Sequence, residues 1–159
     1  MKRILISQMA ALLMFAAGLY GQLQEPPCST QTLRGSYGVM VTGTAPASSV
    51  LPKFSSVLYP VGTIEQFVGV VVHTFDGDGT FTQTDYIKGS LSGAVLNRPG
   101  AGTYSVNRDC SGTYSIFIPG LSFPVVIVRF VLVDGGREFR GIVVTPEEAI
   151  ATFNGRKMH

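Results

Sequence analysis

A short strand pattern is repeated almost unchanged in the middle of this chain. Gly-Thr-Tyr-Ser followed by a β-branched residue occupies residues 102–106 and again 112–116, and a polar turn containing Cys110 separates the two copies. Short β-branched and aromatic runs spaced by roughly 8–12 residues, with turn signals between them, are typical of β-sandwiches and β-barrels. The pattern therefore predicts a fold built from many short antiparallel strands.

Similar runs recur along the chain. Asp-Gly and Gly-Gly turns at 76–79 and 134–136 favour tight hairpins, whereas residues 44–63 and 90–100 resemble irregular connections, the first with an optional short strand at 53–59. A closed sheet leaves no unpaired edge, so we expect an all-β fold with a single eight-stranded antiparallel up-and-down barrel. The eight predicted strands are residues 35–43, 64–75, 80–89, 102–107, 112–118, 123–133, 137–144 and 149–153.

The N-terminal segment has the pattern of a signal peptide. Lys2 and Arg3 precede an apolar run from Ile4 to Tyr20, and polar, proline-bearing sequence follows Gly21. An uncleaved N-terminal anchor is the alternative. The predicted organisation is a signal peptide at 1–21, an extended leader at 22–34, a barrel domain at 35–155 and a tail at 156–159. The protein is expected to be secreted or periplasmic.

Charge excludes several partner classes. The chain has 12 Lys and Arg against 10 Asp and Glu, and cleavage after residue 21 removes two bases and no acid, leaving 10 of each. No basic patch then remains for nucleic acid, and no polybasic or amphipathic segment for a membrane surface. We expect neither nucleic-acid binding nor membrane insertion after signal cleavage; the oligomeric state stays open.

Two cysteines occur, Cys28 and Cys110. In an exported chain they are expected to form a disulfide, which would enclose a loop of about 80 residues and stabilise the fold by up to roughly 4–5 kcal/mol. Two separate free thiols are the alternative.

Strand alternation predicts which faces are buried. Pairing across Gly135-Gly136 puts Leu132, Phe130 and Val128 in the core opposite Phe139, Gly141 and Val143. A turn centred on Gly77-Asp78 predicts an inward face with Val68, Val70, Val72, Phe81 and Ile87, which also carries Gln83 and Asp85. Its predicted outward face carries Glu65, Phe67, Val71 and His73.

Inward polar residues are the candidate ligand-binding groups. Gln83 and Asp85 would need partners or a ligand inside a barrel, and Tyr104 and Tyr114 would line the same cavity with a polar handle. The alternatives are a shifted register, internal hydrogen bonds, and ordinary core roles for the tyrosines.

Other chemistry is weakly supported by the sequence. Asp76–Thr80 starts like a calcium loop, but position twelve is Ile87, so a hairpin turn is favoured. His73 has no second ligand at zinc spacing and is interpreted as a structural or surface histidine. Glu65 and Asp85 fall on opposite predicted faces, which argues against a carboxylate dyad. We therefore predict no metal, no cofactor and no identifiable catalytic set.

Four elements occur in a characteristic order and spacing: Leu33-Arg34-Gly35-Ser36-Tyr37-Gly38, Phe75-Asp76-Gly77-Asp78-Gly79, the run from Gly102 to Thr113, and Val133-Asp134-Gly135-Gly136-Arg137-Glu138-Phe139-Arg140. In these elements the chain resembles bacterial exported proteins of the allene-oxide-cyclase-barrel-like type. The resemblance spans roughly residues 28–155. It implies an eight-stranded barrel of lipocalin-like shape but brings no catalytic residue.

Three hypotheses about function follow. The first is a secreted, non-catalytic barrel whose cavity or mouth binds a small apolar molecule. The second is an isomerase or cyclase that acts on a lipid-derived substrate. The third is a surface interaction module with a filled barrel, which would work through the 44–63 loop.

Overall fold

A computed structural model describes residues 27–47, 60–117, 119 and 122–159. Eight antiparallel strands close into one barrel in chain order, with β8 pairing back onto β1. This confirms the predicted fold class. The strands are β1 (Gly35–Pro46), β2 (Ile64–Phe75), β3 (Thr80–Gly89), β4 (Gly93–Val106), β5 (Ser111–Phe117), β6 (Val126–Val133), β7 (Glu138–Thr145) and β8 (Ile150–Lys157). The predicted signal peptide and most of the 44–63 loop lie outside the described residues.

The barrel has two different ends. At one, here called the closed end, the β2–β3, β4–β5 and β6–β7 turns meet a short 3₁₀ turn at Thr30–Thr32. At the other, here called the mouth, lie the β1–β2, β3–β4, β5–β6 and β7–β8 connections.

The N-terminal segment seals the closed end. Leu33 is fully buried in the core. The Tyr104 hydroxyl accepts a hydrogen bond from the Gly77 amide, and its single proton is directed to the carbonyls of Thr30 and Leu33, both at 3.1 Å. Cys28 is disulfide-bonded to Cys110 in the β4–β5 turn, with 5.0 Å between the Cα atoms, so the predicted bridge is confirmed. The leader is therefore attached to the barrel from residue 28 onward and contributes Leu33 to the core.

Aromatic rings fill the closed half of the lumen. Phe75 contacts the rings of Tyr37, Phe81 and Tyr104 at centroid distances of 5.5, 5.2 and 5.0 Å. Several rings lie over glycines on the adjacent strand, where a Cβ atom would collide with them, as Phe81 does at Gly102 and Phe139 does at Gly155. Glycine is needed there because only a missing side chain lets a ring cross the neighbouring strand. This half is a packed core.

The predicted β6–β7 pairing is confirmed. Leu132, Phe130 and Val128 are paired with Phe139, Gly141 and Val143, and all six occupy inward positions.

Two predicted segments were wrong. Residues 93–100 extend β4 and are not a connection, because pairing with β3 on both sides of a bulge outweighs the low strand propensity of Gly and Pro. β8 reaches Lys157, since β1 and β7 pair with it on both sides, so residues 156–157 are not a tail.

The predicted inward face of β2 was wrong as well. Phe75 pairs with Phe81, and His73 pairs with Gln83, one residue off the predicted register. The cause is a longer turn in which one carboxylate oxygen of Asp76 accepts hydrogen bonds from the amides of residues 78, 79 and 80. A one-residue shift exchanges the two faces of a strand. Val68, Val70 and Val72 therefore face solvent, whereas Glu65, Phe67, Val71 and His73 point inward.

Candidate functional site

Four polar side chains form a continuous hydrogen-bonded chain inside the barrel. Arg98 contacts Asp85, Asp85 contacts Gln83, and Gln83 contacts His73. We call Arg98, Asp85, Gln83 and His73 the polar column. It begins toward the mouth, where the Arg98 side chain is 18% exposed, and ends at the fully buried His73 among aromatic rings.

Strand register brings the column together. Asp85 is paired with Arg98 on β4, and Gln83 is paired with His73 on β2, so all four groups lie on inward positions of three adjacent strands. A bulge in β4 between the Asp85 and Ile87 pairings aligns Arg98 with the inward positions, and Asn97 within it has φ 55°. Bulges commonly re-aim a side chain in this way.

Asp85 is the electrostatic centre of the column. Arg98 donates from Nε to both carboxylate oxygens at 3.1 Å and from a terminal nitrogen to Oδ2 at 2.8 Å. Gln83 donates its amide nitrogen to Oδ2 at 3.2 Å. An Arg–carboxylate fork of this kind is among the stronger polar contacts in proteins. The pair neutralises the charge that an isolated carboxylate would bring into the lumen.

His73 is neutral at physiological pH, because burial lowers its pKa to about 4. Its ring contacts Phe81 at 5.1 Å and Tyr114 at 5.5 Å between centroids. Burial likewise raises the pKa of the Tyr114 phenol well above its ordinary value. His73 Nδ1 and the Tyr114 hydroxyl are both buried and have no hydrogen-bond partner within the described part of the chain.

Apolar side chains surround the lumen toward the mouth. They are half-buried, unlike the fully buried rings at the closed end, and they pack against the same core. The set comprises Phe67, Ile87, Val125, Val126 and Val143. An apolar lining with a few convergent polar groups is the usual composition of a small-molecule site.

The structure brings together three of the four predicted ligand-binding residues. Gln83 and Asp85 are in the column, and the Tyr114 ring lies against His73. Tyr104 is paired with Tyr114 across β4 and β5, but its hydroxyl is engaged at the closed end. It contributes to the seal and not to the column.

Sequence reasoning missed His73 and Arg98. His73 was assigned to the outward face because the hairpin register was set one residue off, and a surface position for it was wrong. Arg98 lay in a segment taken for a connection. The signal available in the sequence was Asp76 at the start of the turn. An Asp side chain in that position can accept hydrogen bonds from the backbone amides that follow it, which permits a longer hairpin loop.

Glu65 and Asp85 do not form a dyad, although both are inward and buried, contrary to their predicted opposite faces. Asp85 is paired with Val71, six residues from Glu65, which is about 20 Å along a strand. Glu65 accepts hydrogen bonds from the amides of Leu91 and Ser92 and from the Ser92 hydroxyl, so it fixes the β3–β4 turn.

Other sites have little support. Within the described ranges, no three His, Cys, Asp or Glu side chains are grouped so that they could hold a metal ion. None of the described helical turns has the length or apolar character that crossing a bilayer requires. A shallow concavity of about 450 Å³ lies on the outer wall of β5–β8, near Arg129 and Arg140, and includes no column residue.

Comparison with known proteins adds no functional assignment. The chain matches no protein-family model. Neither a curated protein nor a solved structure shows significant similarity to it. The resemblance to exported allene-oxide-cyclase-barrel-like proteins therefore stays a prediction.

Proposed function

We propose that this protein is a non-catalytic barrel that binds a small apolar molecule through its mouth. The apolar body would lie against Phe67, Ile87 and Val143, and its polar group would meet the polar column. The observation that supports the proposal is the polar column itself, since it brings four polar side chains into a lumen lined mostly by apolar ones.

Stability does not account for the column. Replacing a buried ion pair with well-packed apolar side chains is often neutral or stabilising by 1–4 kcal/mol. A barrel of this size can fill its lumen with side chains alone, and the closed half does so. Polar groups kept at such a cost are typical of functional sites.

The electrostatics favour an uncharged ligand. Arg98 and Asp85 compensate each other, and His73 is neutral. A ligand carboxylate would have to compete with Asp85 for the guanidinium. An apolar molecule with a neutral oxygen or nitrogen group is therefore the best match.

The compartment is part of the proposal. The signal-like N-terminus of the sequence and the Cys28–Cys110 disulfide both fit an oxidising compartment, secreted or periplasmic. An allene-oxide-cyclase-barrel-like family membership would fit the same location and shape.

Native mass spectrometry before and after organic extraction tests the proposal. We expect extra mass that extraction removes, and loss of that mass in the double variant Asp85→Leu/Arg98→Met, which removes both charges together. Arg129→Met on the outer wall is the matched control and should keep the ligand. Ligand mass that persists in the double variant would contradict a role for the column, and bare protein, with no uptake from an apolar extract, would contradict binding.

An isomerase acting on a lipid-derived substrate is the second candidate. Its support is the bare, neutral Nδ1 of His73 next to the Tyr114 phenol, since both groups can exchange protons with a bound molecule. Turnover of an unsaturated epoxide, lost in Asp85→Ala, would support it. Absence of turnover across a panel of such epoxides would contradict the isomerase function.

A further inference from the structure

His73, at the inner end of the polar column, and the neighbouring Tyr114 are together complementary to one particular functional group. We propose that it receives the hydroxyl group of a slender aliphatic alcohol. This inference depends on the proposed binding function and specifies its ligand class.

The direction of hydrogen bonding along the column fixes the state of His73. Asp85, bound by the Arg98 guanidinium, is a carboxylate and only accepts hydrogen bonds. Gln83 must therefore present its NH₂ group to Asp85, which leaves its carbonyl oxygen facing His73 Nε2 at 3.1 Å. Nε2 then has to carry the ring proton. Nδ1 is consequently a bare acceptor.

Tyr114 offers the opposite hydrogen-bonding role. Its phenol is protonated, fully buried and without a partner among the described residues, so it has a free donor. Its ring centroid lies 5.5 Å from that of His73. The site thus combines an unsatisfied acceptor with an unsatisfied donor, and a buried polar atom without a hydrogen bond destabilises the fold.

A hydroxyl group satisfies both atoms together, because it donates one hydrogen bond and accepts another. A carbonyl or ether oxygen accepts from Tyr114 but leaves Nδ1 bare. An ammonium donates to Nδ1 but leaves the phenol unpaired and brings an uncompensated charge. The atom pair therefore selects O–H over these alternatives.

The surrounding packing selects the shape of the molecule. Phe81, Phe130 and Phe139 pack directly against Tyr114 or His73, with ring centroids at 5.1–6.4 Å. A ligand that reaches the pair has to separate these rings, which favours an unbranched chain over a ring system. Phe67 near the mouth and His73 are about 15 Å apart along the barrel axis, since six residues rise ~3.3 Å each on strands tilted by about 40°. A linear chain of about that length can reach from the mouth to His73.

Three matched probes test the inference: decanol, its methyl ether and decane. NMR titration of the wild-type protein with ¹⁵N-labelled histidine reports binding and the state of His73 in one experiment. We expect His73 Nδ1 to be unprotonated in the free protein and to shift with decanol alone. Decanol should bind about tenfold tighter than the ether, as a gained hydrogen bond predicts. Tyr114→Phe, which removes one oxygen atom, should reduce that preference.

The outcomes separate the two proposals. Equal binding of all three probes would overturn hydroxyl selection while the binding function stands. A proton on Nδ1 in the free protein, or a water molecule that stays on His73 and Tyr114 while decanol is bound, would overturn the inference. Failure of all three probes would also overturn it, and the extraction experiment then decides separately whether the barrel binds an apolar molecule.

Discussion

Both carboxylate oxygens of Asp85 accept hydrogen bonds from the guanidinium of Arg98, which places a nearly enclosed ion pair between the apolar mouth and the aromatic core. Arg98→Met would leave the buried carboxylate without its counter-charge. We expect a loss of about 3 kcal/mol in the free energy of unfolding by urea, because a broken buried pair costs more than an absent one.

The double variant Asp85→Leu/Arg98→Met should recover most of that loss, and Arg129→Met on the exposed wall should change stability by less than about 0.5 kcal/mol. Equal stabilities of the single and double variants would show that the uncompensated charge is not the source of the cost.

Stability should fall in mild acid because of His73. Its pKa is about 4 in the folded protein and near 6.5 in the unfolded chain. Between these two values, His73 is protonated in the unfolded chain but neutral in the folded barrel, which favours unfolding. We expect about 1 kcal/mol less stability at pH 5.5 than at pH 7, and a further decline until pH 4. Urea unfolding at each pH measures this.

His73→Gln retains an N–H donor toward Gln83 and should flatten the profile between pH 7 and 5.5. A profile that stays as steep in this variant would assign the effect to another group.

The disulfide should dominate the stability of the closed end. Cys28 and Cys110 are 82 residues apart, and a loop of that length contributes about 4–5 kcal/mol in the chain-entropy treatment. Adding a reductant should lower the urea midpoint of the wild-type protein strongly. The Cys28→Ser/Cys110→Ser variant should start at that lower midpoint and ignore the reductant. An unchanged wild-type midpoint after verified reduction would contradict this role.

Two strand glycines provide a test of ring packing. A Cβ at Gly155 would collide with the Phe139 ring, whereas a Cβ at Gly38 would meet its nearest neighbour, the Met158 sulfur, at 3.7 Å. Gly155→Ala should therefore destabilise the barrel by about 1–3 kcal/mol through overpacking. Gly38→Ala should be neutral or slightly stabilising, since it restricts the unfolded chain. Similar thermal midpoints for the two variants would contradict the tight packing at Gly155.

The sequence alone was sufficient to predict the barrel, the disulfide and the β6–β7 register. In β6 and β7 the register could be predicted because charged residues mark one face of the strands and aromatic residues mark the other. The β2–β3 hairpin was harder, because β2 has valines on both faces and its register depends on how one side chain, Asp76, arranges the turn. Val68 and Val70 therefore looked as suitable for the core as Val71.

The same ambiguity concealed the polar column. Gln83 and Asp85 were recognisable as inward polar residues, but their partners depend on one register and one bulge, and neither is visible in local propensity. Arg98 lies between Asn97 and Pro99, in a context that favours loops. Pairing across strands placed it in the lumen, and only three-dimensional closure supplies that information.

The last strand ends beside the first at the closed end, where Lys157 is paired with Tyr37 and the Met158 amide donates to the Ser36 carbonyl. A tag, linker or solid support joined to the C-terminus would thus leave the barrel on the side away from the mouth. Molecules immobilised in this way would all present the same opening to the solution, so every mouth would be available on a sensor surface or an affinity resin.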